Sequence, residues 1–334
     1  MIDAAQLLPS LSLIIVNYNT REFLRQCLAS IQIHESQADV IVVDNASRDG
    51  SVAMVRQEFP RVTVLEMGWN AGFAAANNAG LEQAVGDFVV LLNSDTVLED
   101  ASLSRCAQWM RENPKLGACS PRLIGVDDRP QQCRYSFPSL REMIRVALWM
   151  PPSDCPNTVG WLAGTALVLK RQALDEIGGG LDDGFWMYWE DADLSARLLK
   201  AGWSLEPFEA GHVRHYGGAS GGGLDATRRA DLHAWYVYGR HRWFAKHRSI
   251  ATRFGLVVFD VIDTARQALR GLVRPSRRGD LVHARVSARV LWDRLFGGKP
   301  VIPGGKMALC QEPIGVVENK AAMRKKAALK RASL

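Results

Sequence analysis

Apolar residues follow two rhythms in the first half of this chain. Residues 11–17 (LSLIIVN) and 39–44 (DVIVVD) are short, nearly unbroken apolar runs, the pattern of strands buried on both faces. Between them, residues 21–31 (REFLRQCLASI) place Phe23, Leu24, Cys27, Leu28 and Ile31 at helical spacing. Residues 51–59 (SVAMVRQEF) predict a second helix. The run RVTVLEM, a helix over roughly 72–85 and the run DFVVLLNSD (87–95) continue the alternation. Buried strands alternating with helices predict βαβ units and an α/β fold, with a parallel sheet covered on both sides.

A Pro-containing stretch of little periodicity, 125–157, interrupts this order and reads as an ordered loop or insertion. VGWLAGTALVLKRQAL then restores a strand and a helix, and WSLEPF (203–208) predicts another strand. The glycine cluster in YGGASGGGL (216–224) reads as a mobile loop. From 225 to about 272 the signal is helical, and 310–334 is polar, basic and expected to be loose.

Polar groups gather where such a sheet binds ligands, beyond the carboxyl ends of its strands. The first strand ends in Asn17-Tyr18-Asn19, the second in Asp44-Asn45 and a later one in Asn93-Ser94-Asp95. Singly, each could start a turn or cap a helix; three strands delivering polar ends to one rim point to a site. The segment GWNAGFAAANNAG (68–80) adds Asn70, Asn77 and Asn78, and its small residues allow a helix to lie close on the sheet. No GxGxxG follows the first strand, which disfavours a dinucleotide site. Carboxylates at two strand ends suit a nucleotide diphosphate. One accepts from base or ribose, and the other holds a divalent cation against the phosphates.

The segment GFWMYWEDADLSARLLKAGW (184–203) runs four aromatic residues into Glu190, Asp191 and Asp193. Helix capping and the helix dipole explain an acid there but not the rings. A base flanked by apolar ring surface is the competing reading. Burial would raise its pKa and the helix N-terminus would lower it, with the balance open. His215 is either a nitrogen ligand, tilting a metal site toward manganese, or a loop histidine packed beside Tyr216.

Composition narrows the class. With 47% hydrophobic and 23% charged residues the chain is globular. Six cysteines without a CxxC pair predict reduced, packed thiols and no structural zinc. No basic segment followed by an apolar core opens the chain, so no signal peptide is expected, and no apolar run approaches the roughly 20 residues of a membrane span. From Arg274 onward there are 14 Lys and Arg against 4 acids, leaving the preceding part slightly acidic. A nucleic-acid binder is disfavoured, because the basic tail has little aromatic interleaving and the strand-end acids repel a polyanion. WYVYGRHRWFAKHR (235–248) joins rings to cations. It is either an interfacial helix or one packed on the catalytic body with a solvated basic face.

Taken in order, IIVNYNT, VIVVDNASRDGS, NAGFAAANNAG, LLNSDT, GWLAGTALVLKR, IGGGLDDGFWMYWEDADLSARLLKAGW and HYGGAS, spanning about 12–220, resemble family 2 glycosyltransferases with the GT-A fold, most closely a rhamnosyltransferase-like branch. The resemblance implies a mixed, mainly parallel central sheet flanked by helices, with a C-terminal helical extension. It implies a catalytic domain over 1–224, with a nucleotide-binding half at about 10–125 and an acceptor half at about 155–224. A basic helical extension (225–309) and a basic tail (310–334) would follow.

By the same resemblance Asp44 reads base and ribose beside Asn17 and Tyr18, and Asn70, Asn78, Asn93 and Gly164 complete the donor site. Asp95 and His215 hold Mg2+ or Mn2+, although Asn93 stands where a first acid of an Asp-x-Asp motif can occur. Glu190 and Asp191 supply the general base, with Asp191 favoured, and Trp186, Tyr188 and Trp189 offer flat faces to the acceptor. The implied reaction is inverting transfer of L-rhamnose from dTDP-rhamnose to a lipid-linked or growing polysaccharide, by a cytoplasmic protein peripheral to the membrane. Galactofuranosyl or other hexosyl transfer, and a silent sugar-nucleotide-binding scaffold, are the alternatives. A nucleotidyltransferase would need a Gly- and Arg/Lys-rich loop after the first strand, which NYNTREF is not.

Overall fold

The first strand, β1 (Leu11–Asn17), shows why its run is apolar without a break. Leu13 and Ile15 enter one hydrophobic core and Ile14 the other, on opposite faces of the sheet. The computed structural model describes residues 9–148, 159–217, 226–273 and 278–296. After β1 come α1 (Arg21–His34), β2 (Asp39–Asp44), α2 (Ser51–Glu58), β3 (Thr63–Glu66), α3 (Phe73–Gln83) and β4 (Phe88–Asn93). These four strands are parallel in the order β3-β2-β1-β4, so the chain reverses direction across the sheet between β3 and β4. Ligands bind at such a switch point, outside the carboxyl ends. The register pairs Asn17 with Asp44 and Val16 with Asn93, which sets the polar strand ends level.

The next segments are β5 (Thr96–Leu98), α4 (Ser102–Glu112), β6 (Leu116–Ile124), β7 (Pro130–Gln131), β8 (Arg134–Tyr135), α5 (Leu140–Ala147), β9 (Trp161–Leu162), β10 (Ala166–Lys170), α6 (Arg171–Glu176), α7 (Glu190–Lys200) and β11 (Ser204–His215). The sheet is mixed: β10 runs antiparallel between β4 and β6, and β11 lies parallel to β6 and antiparallel to β5. The stretch expected to lack regular structure therefore contains β7, β8 and α5. Its strands are only two residues long, too short for a period to show. The strand expected at 203–208 continues to His215 through a register shift between Phe208 and His212. Such an irregularity interrupts alternation while leaving the strand in the sheet.

Small residues on α3 do let it approach the sheet: a Cβ on Gly80 would stand 2.4 Å from Ile14 Cγ2. The chain closes with α8 (Ala226–His247), α9 (Ile250–Val273) and α10 (Arg278–Phe296). Of the two readings of 235–248, the packing holds and the solvated basic face does not. Trp235, Trp243 and Phe244 are buried, and Arg240, His241, Arg242, Lys246 and His247 pair with Asp260, Asp182 and Asp193. Trp243 and Phe244 share a core with Phe185, Trp189, Ala192 and Leu256, joining α8 and α9 to the start of α7. The four cysteines among the described residues are free and buried. The glycine cluster from 218 on, residues 149–158 and the 310–334 tail lie outside the described residues.

Candidate active site

At the carboxyl end of β2, Asp44 is 2% exposed and held on both oxygens. The Asn17 side-chain amide donates to Oδ1 at 2.8 Å, and the Ser47 backbone N–H donates to Oδ2 at 2.8 Å. Asn17 is fixed in turn by the Thr20 hydroxyl at 2.6 Å, which meets Ser94 Oγ at 2.8 Å. The strand ends thus form one bonded row. Tyr18 stands exposed beside it. Thr20 and Ser47 are members that motif reading passed over, because hydroxyls near turns are too common to signal a site.

Asp95 and His215 are 120 positions apart in sequence. The antiparallel pairing of β5 with β11 sets His215 opposite Thr96 and so beside Asp95. His215 Nε2 lies 3.4 Å from Asp95 Oδ1. Gln131 clamps the histidine, with its Oε1 2.7 Å from Nδ1 and its amide donating to the His215 carbonyl at 3.1 Å. A proton on Nδ1 satisfies Gln131 and turns the Nε2 lone pair toward Asp95, the arrangement of a metal-ligating imidazole with a second-shell partner. Only position 131 in a loop of weak pattern carried this clamp, so the sequence offered no signal for it. Among the described residues no group of three or more His, Cys, Asp or Glu is placed to hold a metal. One carboxylate and one imidazole suit an ion whose other ligands are diphosphate oxygens and water.

The acid pair starts α7. Its N-cap is Trp189, which with Tyr188 adopts left-handed backbone (φ 75° and 68°). Such conformations cost about 1–3 kcal/mol each for non-glycine residues and concentrate at functional sites. The capping alternative for Asp191 fails. It lies inside the helix, with Oδ1 accepting from Ala192 N at 2.8 Å and Oδ2 accepting from Gly164 N across the chain at 3.1 Å. Gly164 adjoins Thr165, whose carbonyl accepts from Asn93 N at 2.9 Å. Asp191 is therefore two backbone steps from the β4 strand end.

Burial pushes the Asp191 carboxyl up to about 6, against the two N–H groups that favour its charge. Burial first, and the neighbouring Asp191 second, push Glu190 well above the carboxylate range, and its Oε2 has no hydrogen-bond partner. The open balance between burial and helix N-terminus is settled for burial. Tyr135, stacked on Trp161 with centroids 4.3 Å apart, is pushed up by its own burial and by Asp191, which marks a ring pair beside the acid that sequence reading missed.

Two expected assignments change. The Asn78 side chain is engaged at both ends with Leu181, donating to its carbonyl and accepting from its N–H, each at 2.9 Å. It fastens α3 to the loop before α7 and does not face a donor. Trp189 is buried, its indole N–H donating to Tyr236 O at 2.9 Å, so it is core and not an acceptor platform. Asn70 Oδ1 accepts from Gly72 N at 3.1 Å and shapes its own turn. Trp186 stacks on Trp235 with centroids 4.7 Å apart, and Tyr188 is 38% exposed. Trp186 also has Gly72 against its ring, so of the rings before Glu190 it is Tyr188 that stays exposed.

Gly72 couples the two halves of the site. Its φ of +85° is the left-handed kind, and a Cβ there would stand 2.3 Å from Trp186 O and 2.6 Å from the indole. Gly72→Ala is expected to lower stability by about 2–3 kcal/mol and to break the bond from Phe73 N to Trp186 O, read as a lower urea midpoint with unchanged slope.

The family model for glycosyl transferase family 2 matches residues 12–178. An N-acetylglucosaminyl-diphospho-decaprenol L-rhamnosyltransferase of Mycobacterium tuberculosis is 29% identical over 306 residues, covering 79% of this chain and 97% of that protein. The rhamnosyltransferase WbbL of Escherichia coli is 23% identical over 260 residues, covering 72% and 95%. Among solved structures, a mannosyltransferase of Pyrobaculum calidifontis in complex with GDP-Man and Mn2+ superposes with a TM-score of 0.55 at 15% identity, over 88% of this chain and 89% of that one. That likeness speaks to the fold, which is GT-A.

Proposed function

The chain belongs to glycosyl transferase family 2 and is a glycosyltransferase, and from that premise we propose that it moves L-rhamnose from dTDP-rhamnose to a hydroxyl of a lipid-linked glycan, with inversion at the anomeric carbon. The observation that carries the mechanism is Asp191: a carboxylate at the rim, part-exposed, with a pKa near 6 and both oxygens oriented by N–H groups. It takes the proton of the acceptor hydroxyl as the glycosidic bond forms, work suited to a base whose pKa lies close to the working pH. Glu190, held neutral beside it, adds no second charge. Asp44 accepts from the base or ribose of the donor. Tyr188 gives the acceptor a flat apolar face. The named activities of the Mycobacterium and Escherichia relatives support rhamnose and a diphospho-polyprenol acceptor.

Asp95 and His215 fit a divalent cation, Mg2+ or Mn2+, the nitrogen favouring manganese. These two residues would hold such an ion, and the chemistry it would supply is neutralisation of charge on a diphosphate leaving group. If Gln131 sets the His215 ring for this task, Gln131→Ala weakens Mn2+ binding about tenfold in the presence of dTDP, read by the loss of free-ion electron paramagnetic resonance signal. An unchanged affinity would detach Gln131 and His215 from the metal.

The test of the whole reading is turnover of a panel of nucleotide sugars with and without Mn2+ or Mg2+. Metal-dependent consumption of dTDP-rhamnose over the others is the expected result. Preference for UDP-galactofuranose or another hexose donor would replace the sugar and keep the mechanism. Binding of no sugar nucleotide with either metal would overturn the assigned site.

A further inference from the structure

Helix α9 turns its apolar side outward. Phe254, Val258, Val261, Ile262, Leu269 and Leu272 are between 42% and 72% exposed. At a helical turn of 100° per residue these six fall within one arc of about 100°. The acids of α9 are elsewhere: Asp260 is buried against Arg240 and His241, and Asp263 pairs with Arg266. By the same helical geometry Arg266 lies about 40° beyond one edge of the arc, bonded to Asp263 and to the Ala147 carbonyl of α5, while Arg270 and Arg253 lie about 80° beyond either edge. Helix α5 lies alongside, admitted by Gly255, where a Cβ would stand 2.5 Å from Leu140 Cδ2. It widens the surface with exposed Ile144 and Leu148. The sequence beyond Val273 opens with Arg274, Arg277 and Arg278 and carries 14 Lys and Arg against 4 acids to its end.

We propose that the apolar face of α9, widened by α5, docks this protein flat on an anionic lipid bilayer. A 24-residue helix makes a ridge about 36 Å long. An apolar stripe with basic flanks is the signature of a helix lying in a membrane interface. Pairing with a second copy about a two-fold axis would set basic flank against basic flank, which opposes association. The ridge does not span: among the described residues no helix is long and apolar enough to cross a membrane. On its inner side α9 places Leu256 in the aromatic core with Trp189 and Ala192, so a single packed layer separates the lipid face from the start of α7. That proximity serves a lipid-linked acceptor and to that extent rests on the proposed function; the docking does not.

The test is sedimentation of the full chain with vesicles of phosphatidylglycerol and phosphatidylcholine in equal parts, for wild type and the double variant Phe254→Glu with Leu269→Glu. The partition coefficient is expected to fall at least about tenfold in the variant, while its melting temperature and nucleotide-sugar affinity stay unchanged. Equal partitioning of the two proteins, or binding abolished by salt alone and untouched by the variant, overturns the proposal. A wild-type dimer that the variant dissociates, with no vesicle binding in either, assigns the face to a second copy and also overturns it. Vesicle binding as expected with no turnover of any sugar nucleotide sustains the docking and removes the proposed function.

Discussion

Replacing Asp191 by Asn is expected to slow sugar transfer by about a hundred- to ten-thousandfold while leaving donor affinity within a factor of about two, because a positioned base contributes that much and the amide keeps the shape of the group. The pH profile carries the same assignment. Only ionised Asp191 accepts a proton, so transfer by the wild type falls as pH drops through about 6. The residual activity of the variant loses that limb. Stability moves the other way. The folded pKa lies above the ordinary value of 3.8, so ionisation disfavours the fold, with a penalty that begins near pH 4 and is complete above about 6. Asp191→Asn removes the ionisation but turns an NH2 group toward one of the two N–H donors that the carboxylate accepts from, so the expected change is in the pH dependence. Its urea midpoint loses the fall that the wild type shows as pH rises from about 4 to about 6. A variant with normal turnover sinks the base; a slow variant with unchanged pH limbs moves the role elsewhere, with Glu190 next.

The second large effect lies behind the site. Asp193 is fully buried and gathers Arg197 at 2.9 Å, Lys246 at 2.6 Å and His247 at 2.8 Å, the last two from α8. Asp182 takes Lys246 as well, at 2.6 Å, and Arg242 at 2.7 Å. Removing one partner from a buried charge cluster strands the others, which is far more damaging than exchanging the whole cluster for apolar groups. Asp193→Ala is therefore expected to lower stability by about 3 kcal/mol, since Arg197, Lys246 and His247 keep some access to water.

Burial opposes ionisation of Asp193, but hydrogen bonds from His247 and Lys246 and the charge of Arg197 outweigh it, and the carboxyl titrates below its ordinary value. Burial of Asp182 is likewise outweighed, by Arg242 and Lys246, leaving its pKa at about 2. Both groups thus add stability that is present above pH 4 and lost as pH falls toward 2. Acid unfolding followed by far-ultraviolet dichroism should be shallower in Asp193→Ala than in wild type. Equal acid profiles would show that these contacts do not hold α8 to α7.

Much of this was open to reading without coordinates. Runs such as LSLIIVN are apolar throughout because both faces of β1 are covered, and that composition is local information. Asp44, Asp95 and Asp191 stood out as candidates because strand ends and helix starts are where such a fold exposes polar groups. The four rings before Glu190 signalled an unusual environment, and the structure divides them. Phe185 and Trp189 pack against α8, with Arg242 standing 5.2 Å from the Phe185 ring, while Trp186 stacks on Trp235 and Tyr188 is 38% exposed. Nothing in a run of aromatics distinguishes core from platform, since both bury ring surface.

The sequence by itself determined the alternation of strands and helices, the family, and the acids at the rim, because each is written in contiguous residues whose spacing or chemistry does not depend on distant partners. Only the tertiary structure decided which groups meet. The β5–β11 pairing brings His215 to Asp95, Gly164 brings Asp191 to the β4 end, Gln131 fixes a ring 84 positions away, and Leu181 withdraws Asn78 from the site. The apolar face of α9 is likewise invisible as exposed until packing is known, since an amphipathic pattern shows that two sides differ and not which one points out. Contacts between distant residues depend on topology and register, which a local pattern does not contain.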